Sequence, residues 1–190
     1  VYVERVHEIP DMGRASKGRS IANLLELKGG EKIAALIRII SQSNPSNEDV
    51  TWQQAGFLFF ATGQGTVKKT ALSEFANVRK GGIVAITIDP GDTLIDVKLT
   101  SGQDGVVLIT RGGQSIRFRE EDARSMGRPA AGVRGIRLEQ GDAVVALAVV
   151  VPDATLLVAG DNGVGKRTGF DEYRVQSRGG KGIITMKTTE

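Results

Sequence analysis

"GGIVAITIDPGDTLIDV" (81–97) and "AGVRGIRLEQGDAVVAL" (131–147) are one string written twice, and that coincidence decides the fold. Gly82 and Gly132 lie 50 residues apart, as do Asp92 and Asp142, and "KGIITMKTTE" (181–190) repeats the glycine at Gly182. A more divergent copy, "RSIANLLELKGGEKIAAL" (19–36), is offset by 61 residues, the surplus falling in the polar stretch "SQSNPSNEDVTWQQAG" (41–56). A second series interleaves with the first. "FLFFATGQGTVKKT" (57–70), "VVLITRGGQSIRFR" (106–119) and "TLLVAGDNGVGKRT" (155–168) align at a spacing of 49, so Lys68, Arg117 and Lys166 correspond. A fixed period of about 50 residues marks a repeat architecture whose units cannot bury their faces alone and must pack on their neighbours.

Each unit holds four short β-like runs: "GIVAITI", "TLIDVKLT", "VVLIT" and "QSIRFRE", separated by "DPGD" and a glycine-rich turn. Val, Ile and Thr dominate them, and helical periodicity is nearly missing. The expected fold class is all-β, a β-propeller-like array of four-stranded blades of about 50 residues each. The expected repeat units run approximately 1–55 (partial, with a loop insertion at 41–56), 56–104, 105–153 and 154–190 (partial), all within one domain. A sandwich of unrelated strands is the structural rival, and the fixed period argues against it. "VYVERVHEI" (1–9) reads as the tail of an earlier copy. The chain starts without Met and stops just after a strand-like run, so it is expected to be part of a longer protein and of a larger disc.

Composition narrows the function. Cys is absent and there is one His, which excludes a disulfide framework, a Cys-based metal site and a His-based triad. No run of about 20 apolar residues is present, so no membrane helix is expected, and no signal peptide is visible. A cytoplasmic location fits the missing cysteines. Net charge is only +3, but the cations are not spread evenly. They gather in the loops 14–19, 79–82, 124–128 and 174–181 and in the fourth runs 66–70, 115–119 and 164–168. Those segments carry 16 of the 25 basic residues and none of the 22 acids.

Strand alternation sharpens the pattern. In "SIRFR", Ile116 and Phe118 face one side while Arg117 and Arg119 face the other. Lys68 and Lys166 occupy the Arg117 register, so a radial array of blades is expected to carry one basic row at a common height. The expected rim comprises Arg14, Lys17, Arg19, Lys68, Lys69, Arg79, Lys80, Arg117, Arg119, Arg124, Arg128, Lys166, Arg167 and Arg174. Like charges in register repel, and folding gives no reason to gather them. The phosphates of double-stranded DNA give one, without base-reading residues. "SRGGKG" (177–182) then reads as a phosphate clamp: glycines expose backbone N–H groups, while Arg178 and Lys181 supply charge. A propeller used as a protein–protein scaffold is the competing function.

Other chemistry is weaker. "GDNGVGKRT" (160–168) nearly spells a nucleotide-binding P-loop, but Arg167 stands where Ser or Thr must bind Mg²⁺. "REEDA" (119–123) offers adjacent carboxylates, which solvate a strand end more readily than they span a cleft. His7 reads as a surface residue at a strand end, and Tyr2 and Tyr173 as repeat positions.

At the basic segments the sequence resembles the family of DNA gyrase A C-terminal domains, from the bacterial type IIA topoisomerase. "QSRGGKG" (176–182) matches that family's box, QRRGGKG, at six of seven positions. "GTVKKTALSEF", "AGVRGIRLEQGD" and "GKRTGFDEY" are similar to it as well, and the likeness covers essentially the whole chain. The resemblance implies a six-bladed β-pinwheel that wraps DNA around its rim, in support of ATP-dependent negative supercoiling. Carried over by motif, Gln176, Ser177, Arg178, Gly179, Gly180, Lys181 and Gly182 are the box. The equivalent domain of the topoisomerase IV A-type chain is the sister alternative, whose box is degenerate or lost. The resemblance further implies no catalytic residue, metal or cofactor in this segment. ATP and Mg²⁺ would act elsewhere in an A₂B₂ enzyme made of two gyrase A chains and two gyrase B chains, located in the cytoplasm with the nucleoid. Ser177 departs from the box by removing one cation. The box also sits late, so the essential copy is expected upstream.

Overall fold

The computed structural model describes residues 1–27, 29–39 and 56–188. The insertion expected at 41–56 lies outside them, apart from Gly56. Among the described residues there is no α-helix, only short 3-10 turns and antiparallel sheet. The strands are β1 (Phe57–Thr62), β2 (Thr66–Ala71), β3 (Leu94–Thr100), β4 (Gly105–Thr110), β5 (Gln114–Arg119), β6 (Val133–Arg134), β7 (Val144–Val149), β8 (Thr155–Ala159), β9 (Gly165–Gly169) and β10 (Ile183–Ile184). They form two four-stranded sheets, ordered β3-β1-β2-β6 and β10-β5-β4-β7, and a two-stranded sheet, β8-β9.

The central hairpins explain the layering. In β1, Leu58 and Phe60 pack on one side with Leu72, Phe75 and Val97, while partly buried Ala35, Ile37 and Ile39 close over them. Phe59 and Ala61 face the other way and meet Val106, Leu108, Ile116, Phe118 and Leu147 of the second sheet. Val107 and Ile109 in turn face Phe170, Leu156 and Val158. Covering a strand on both faces favours apolar residues along its length, which is why "FLFFAT" and "VVLIT" read as near-continuous apolar runs. Phe59 and Phe118 lie across the boundary between the sheets, ring centroids 6.3 Å apart at a 49° tilt. The sheets converge where β3 lies against β7. β6 and β10 occupy the opposite, outer edges.

The strand inventory within a unit differs from the expectation. The four runs of a unit do not make one blade. Its first run leaves for the preceding sheet: Val133 and Arg134 pair with Val67 and Thr66, and Ile183 and Ile184 pair with Ser115 and Gln114. Only two residues of each run are strand, and 82–88 contains none. The remainder curls over a hairpin turn. Gly135 and Ile136 both donate to the Gly65 carbonyl, at 2.7 and 3.3 Å, and Thr185 and Met186 do the same to Gly113, at 2.8 and 3.3 Å. Because one carbonyl takes two successive amides, the ladder cannot extend. The blade is thus completed by the chain of the next unit.

The glycines 50 residues apart permit this exchange. Gly132 sits at φ +114°, and a Cβ there would lie 2.5 Å from the Val67 carbonyl oxygen; Gly182 sits at φ +81°, with the Ser115 oxygen closer still. The aspartates 50 apart are turn caps. Asp92 Oδ1 accepts from the Gln64 and Thr93 amides, at 2.9 and 2.7 Å, and Asp142 Oδ1 from Gly112 and Ala143, both at 2.8 Å. Each ties a hairpin turn to the start of the strand that flanks it.

These distances predict a contrast between glycines. Gly141, at φ +80°, has nothing within 4 Å of the point where a Cβ would stand, so Gly141→Ala should cost about 1–2 kcal/mol, the ordinary left-handed penalty. Gly132→Ala and Gly182→Ala should cost clearly more, since backbone must also move. Urea denaturation of the three variants checks the order; equal losses would show that the close approach is not a constraint.

Candidate nucleic-acid interface

The basic loops reach the outer edge by the same exchange. Ser125 bridges Lys69 in parallel, with the Met126 amide donating to the Lys69 carbonyl at 2.8 Å. One unit on, Val175 bridges Arg117, and the Gln176 amide donates to the Arg117 carbonyl at 2.8 Å. The loop 124–132 therefore lies along β2 and the loop 174–182 along β5. Arg119, Arg124 and Arg174 are exposed there, and Arg128 and Arg178 are half-buried. Arg14, Lys17, Arg19, Arg79, Lys80, Lys166 and Arg167 are also exposed.

The expected row of cations at one height is not a solvent-facing row. Lys68 is 0% and Lys69 6% exposed. Lys68 Nζ donates to the carbonyls of Ala85, at 2.5 Å, and Arg128, and stands 5.8 Å from the Phe60 ring centroid. Lys69 Nζ donates to the Glu120 carbonyl at 3.1 Å and sits 5.0 Å over the Phe57 ring. Arg117 is half-buried; its Nη1 donates to Phe170 O at 2.6 Å and Tyr173 O at 3.2 Å. The physical reason is that other chain lies over these side chains: Ala85 and Arg128 over Lys68, the turn at Glu120 over Lys69, and the turn Phe170–Glu172 over Arg117. Lys166 is exposed on β9, which pairs only with β8 among the described residues. Burial lowers the Lys68 ammonium from the usual 10.5 to about 8.

The box is not an open nest either. The Gly179 amide donates to Gly135 O at 2.6 Å, and Gly180 O accepts from the Arg137 amide at 2.8 Å. Arg178 grips the previous unit, Nε to Asp122 O at 2.7 Å and Nη1 to Arg134 O at 3.1 Å. Lys181 meets Glu139 at 3.1 Å on an open surface, where such a pair is worth little and leaves the cation available. Gln176 is half-buried, with its Nε2 lacking a partner, and Ser177 is exposed. Gly182 serves the strand exchange described above. Of the glycines in this stretch, Gly182 answers to close backbone packing and the Gly179 amide is already bonded to the preceding unit.

Two cations escaped the sequence reading. Arg134 and Arg137 are exposed beside the box, on either side of buried Gly135 and Ile136. Simple alternation fails there because the run curls over Gly65, so period two could not assign them to a face. The only available signal was their adjacency, in "GVRGIRL", to the repeating glycine.

The other candidate chemistry resolves into structure. Glu120 is buried, its Oε1 accepting from the amides of Gly102 at 2.5 Å and Asp104 at 2.8 Å. The near-P-loop is the β8-β9 hairpin, with a strand where a nucleotide site needs a helix. His7 is exposed, in the 3-10 turn Val6–Glu8 and not at a strand end. Among the described residues no three His, Cys, Asp or Glu gather as a metal site, and no helix is long and apolar enough to cross a membrane.

The chain matches the family model described as the DNA gyrase C-terminal domain, beta-propeller, over residues 1–40, 56–101, 106–150 and 154–190. It is 44% identical over 192 residues to the DNA gyrase A chain of Haloquadratum walsbyi, covering 100% of this chain and 22% of that protein. Identity is also 44% to the DNA gyrase A chain of Escherichia coli K12, over 100% of this chain and 21% of the relative. The chain thus spans about a fifth of the length of the curated relatives it matches. A solved C-terminal domain of DNA topoisomerase IV superposes with a TM-score of 0.80 at 30% identity, over 94% of this chain and 53% of that one.

The Lys68 environment gives a pH prediction. Between pH 8 and 10.5 the folded chain has released a proton that the unfolded chain still holds, so this group makes stability rise with pH across that window and leaves it flat below. Lys68→Met should abolish that rise. Urea denaturation of both proteins from pH 7.5 upward checks it; parallel curves would show that Lys68 titrates as an exposed lysine.

Proposed function

The chain belongs to the family of the DNA gyrase C-terminal β-propeller domain, and from that premise we propose that it binds duplex DNA along the outer edges of its sheets and bends it, largely independently of sequence. One observation carries the reading. Exposed cations collect on the loops that cross the outer edges, namely Arg124 and Arg174, 50 residues apart, with Arg119, Arg134, Arg137 and Lys181. Three acids of the same units, Asp92, Asp142 and Glu120, are taken up in capping turns, whereas Glu121, Asp122, Glu139, Asp171 and Glu172 are exposed within a few residues of these cations. A curved positive edge needs only regularly spaced phosphates to hold, and bending is what lets it touch many of them.

In the parent protein this domain serves as the wrapping element of the DNA gyrase A chain, part of a type II topoisomerase in which two A chains act with two gyrase B chains. Wrapping presents a crossover for strand passage, and ATP and Mg²⁺ act elsewhere in that assembly to drive negative supercoiling. The protein would then work in the cytoplasm with the nucleoid. The residues proposed to touch phosphate are the exposed members of the expected rim, joined by Arg134, Arg137 and the box cations Arg178 and Lys181. Lys68 and Lys69 are left out, because their ammonium groups are enclosed. The likeness to the topoisomerase IV domain supports a second reading, the same DNA-bending role in that sister enzyme.

The test combines salt and topology. If about 6–10 phosphates are contacted, affinity for a random duplex should fall by roughly 10³–10⁵ between 50 and 200 mM salt. Relaxed plasmid closed by a nicking-closing enzyme in the presence of the chain should emerge with a shifted linking number. Arg124→Ala with Arg174→Ala should lower the slope of log K against log salt by about 2, one phosphate contact each. A chain that binds no DNA at 50 mM salt, the behaviour of a protein–protein scaffold, sinks the proposal.

A further inference from the structure

We propose that Lys68 and Arg117 are positioning residues for the rim: each is a buried or half-buried donor that fixes where the next unit's basic loop sits against the preceding sheet. The inference rests on the DNA-bending reading above. The two residues occupy the same repeat position, in β2 and β5. Neither is ion-paired; the salt bridges found among the described residues are Lys98–Asp96 and Lys181–Glu139. Both instead donate to main-chain oxygens far along the chain. Lys68 reaches Arg128 O, 60 residues on, inside the loop 124–132. Arg117 reaches Phe170 O and Tyr173 O, 53 and 56 residues on, in the 3-10 turn that delivers Arg174 and the box.

An enclosed cation is costly unless every donor is matched, so packing alone would favour an apolar side chain at this position. A cation recurs there in three successive units, as Lys68, Arg117 and Lys166, with Lys and Arg interchanged. What the two share is a long, charged donor, strong toward carbonyl oxygen. The loop 124–132 is also held by its parallel bridge and by Ala130 and Pro129 accepting from Thr87, and the loop 174–182 by its bridge and the bonds of Gly179, Gly180 and Arg178, so each of the two donors adds a further tie. Lys166, the third member, is exposed on β9 and bonds to no loop among the described residues. The donor therefore sets the step from one blade's cations to the next, hence the path of the DNA and not the number of phosphates held.

The test separates path from charge, using the linking-number shift in relaxed plasmid, the salt slope and the melting temperature of the whole chain. Arg117 is the primary site because it is only half-buried. Arg117→Leu is expected to stay folded, to keep the unmodified salt slope within about 0.5, and to lose at least half of the linking-number shift per bound chain. Arg117→Lys is expected to restore the shift, as the Lys in the equivalent position of β2 implies. Lys68→Met, where it folds, should behave as Arg117→Leu does. A folded Arg117→Leu chain with the full shift overturns the inference, and so does a slope reduced by about 1, which would make Arg117 a phosphate contact. If the unmodified chain itself produces no shift, the DNA-bending reading fails first, and this inference falls with it.

Discussion

The exchange of a strand between neighbouring units is the constraint on which the rest depends. A hairpin flanked by one further strand leaves β2 or β5 with an unpaired edge, and such an edge invites uncontrolled pairing. Here it is closed by β6 or β10, delivered from the following unit. The delivery works only because a glycine enters each exchanged run at positive φ and lets its backbone come within van der Waals reach of a carbonyl. The adjacent sheets are therefore joined twice, by the apolar layer around Phe59 and Phe118 and by backbone hydrogen bonds at the outer edge. Two independent joints restrict rotation of one sheet against the next more than either does alone.

The same exchange sorts the cations. Chain that crosses an outer edge buries what lies beneath it and exposes what it carries. Lys68, Lys69 and, in part, Arg117 are beneath; Arg124, Arg134, Arg137 and Arg174 are carried. Burial forces the first group to find acceptors, and it finds main-chain carbonyls: Ala85 and Arg128 for Lys68, Glu120 for Lys69, Phe170 and Tyr173 for Arg117. The second group keeps its hydration and remains free to meet phosphate. One population of basic residues thus divides into structural donors and surface charge, and a pair from each half, Lys68 with Arg117 and Arg124 with Arg174, recurs with the period of the fold. Stability and electrostatics are coupled, because the positions of the surface charges are set by the buried ones.

The glycine-rich box illustrates how easily the two roles are confused. Its residue types suit anion binding, yet its Gly179 amide, its Gly180 carbonyl and the Arg178 guanidinium are engaged with the preceding unit. Lys181 is exposed with a weak partner, and half-buried Arg178 keeps only part of its guanidinium for other contacts. The stretch acts first as a clasp between units. Whatever it offers to DNA, it offers from a frame built by Arg134, Gly135 and Arg137.

The period of the chain, its all-β character, the hairpins around Gly65 and Gly113 and the concentration of cations in a few segments were legible from the sequence by itself. Each is local or periodic: alternation, turn residues and repeat spacing are properties of neighbouring residues. Which sheet each run joins was not legible, because Val133 and Ile183 look like any strand residues and their partners lie more than 60 positions away. The burial of Lys68 was hidden for the same reason. Alternation places a side chain on a face, but only the tertiary fold decides whether another segment covers that face, and so whether a cation there becomes a buried donor or a charge available to a polyanion.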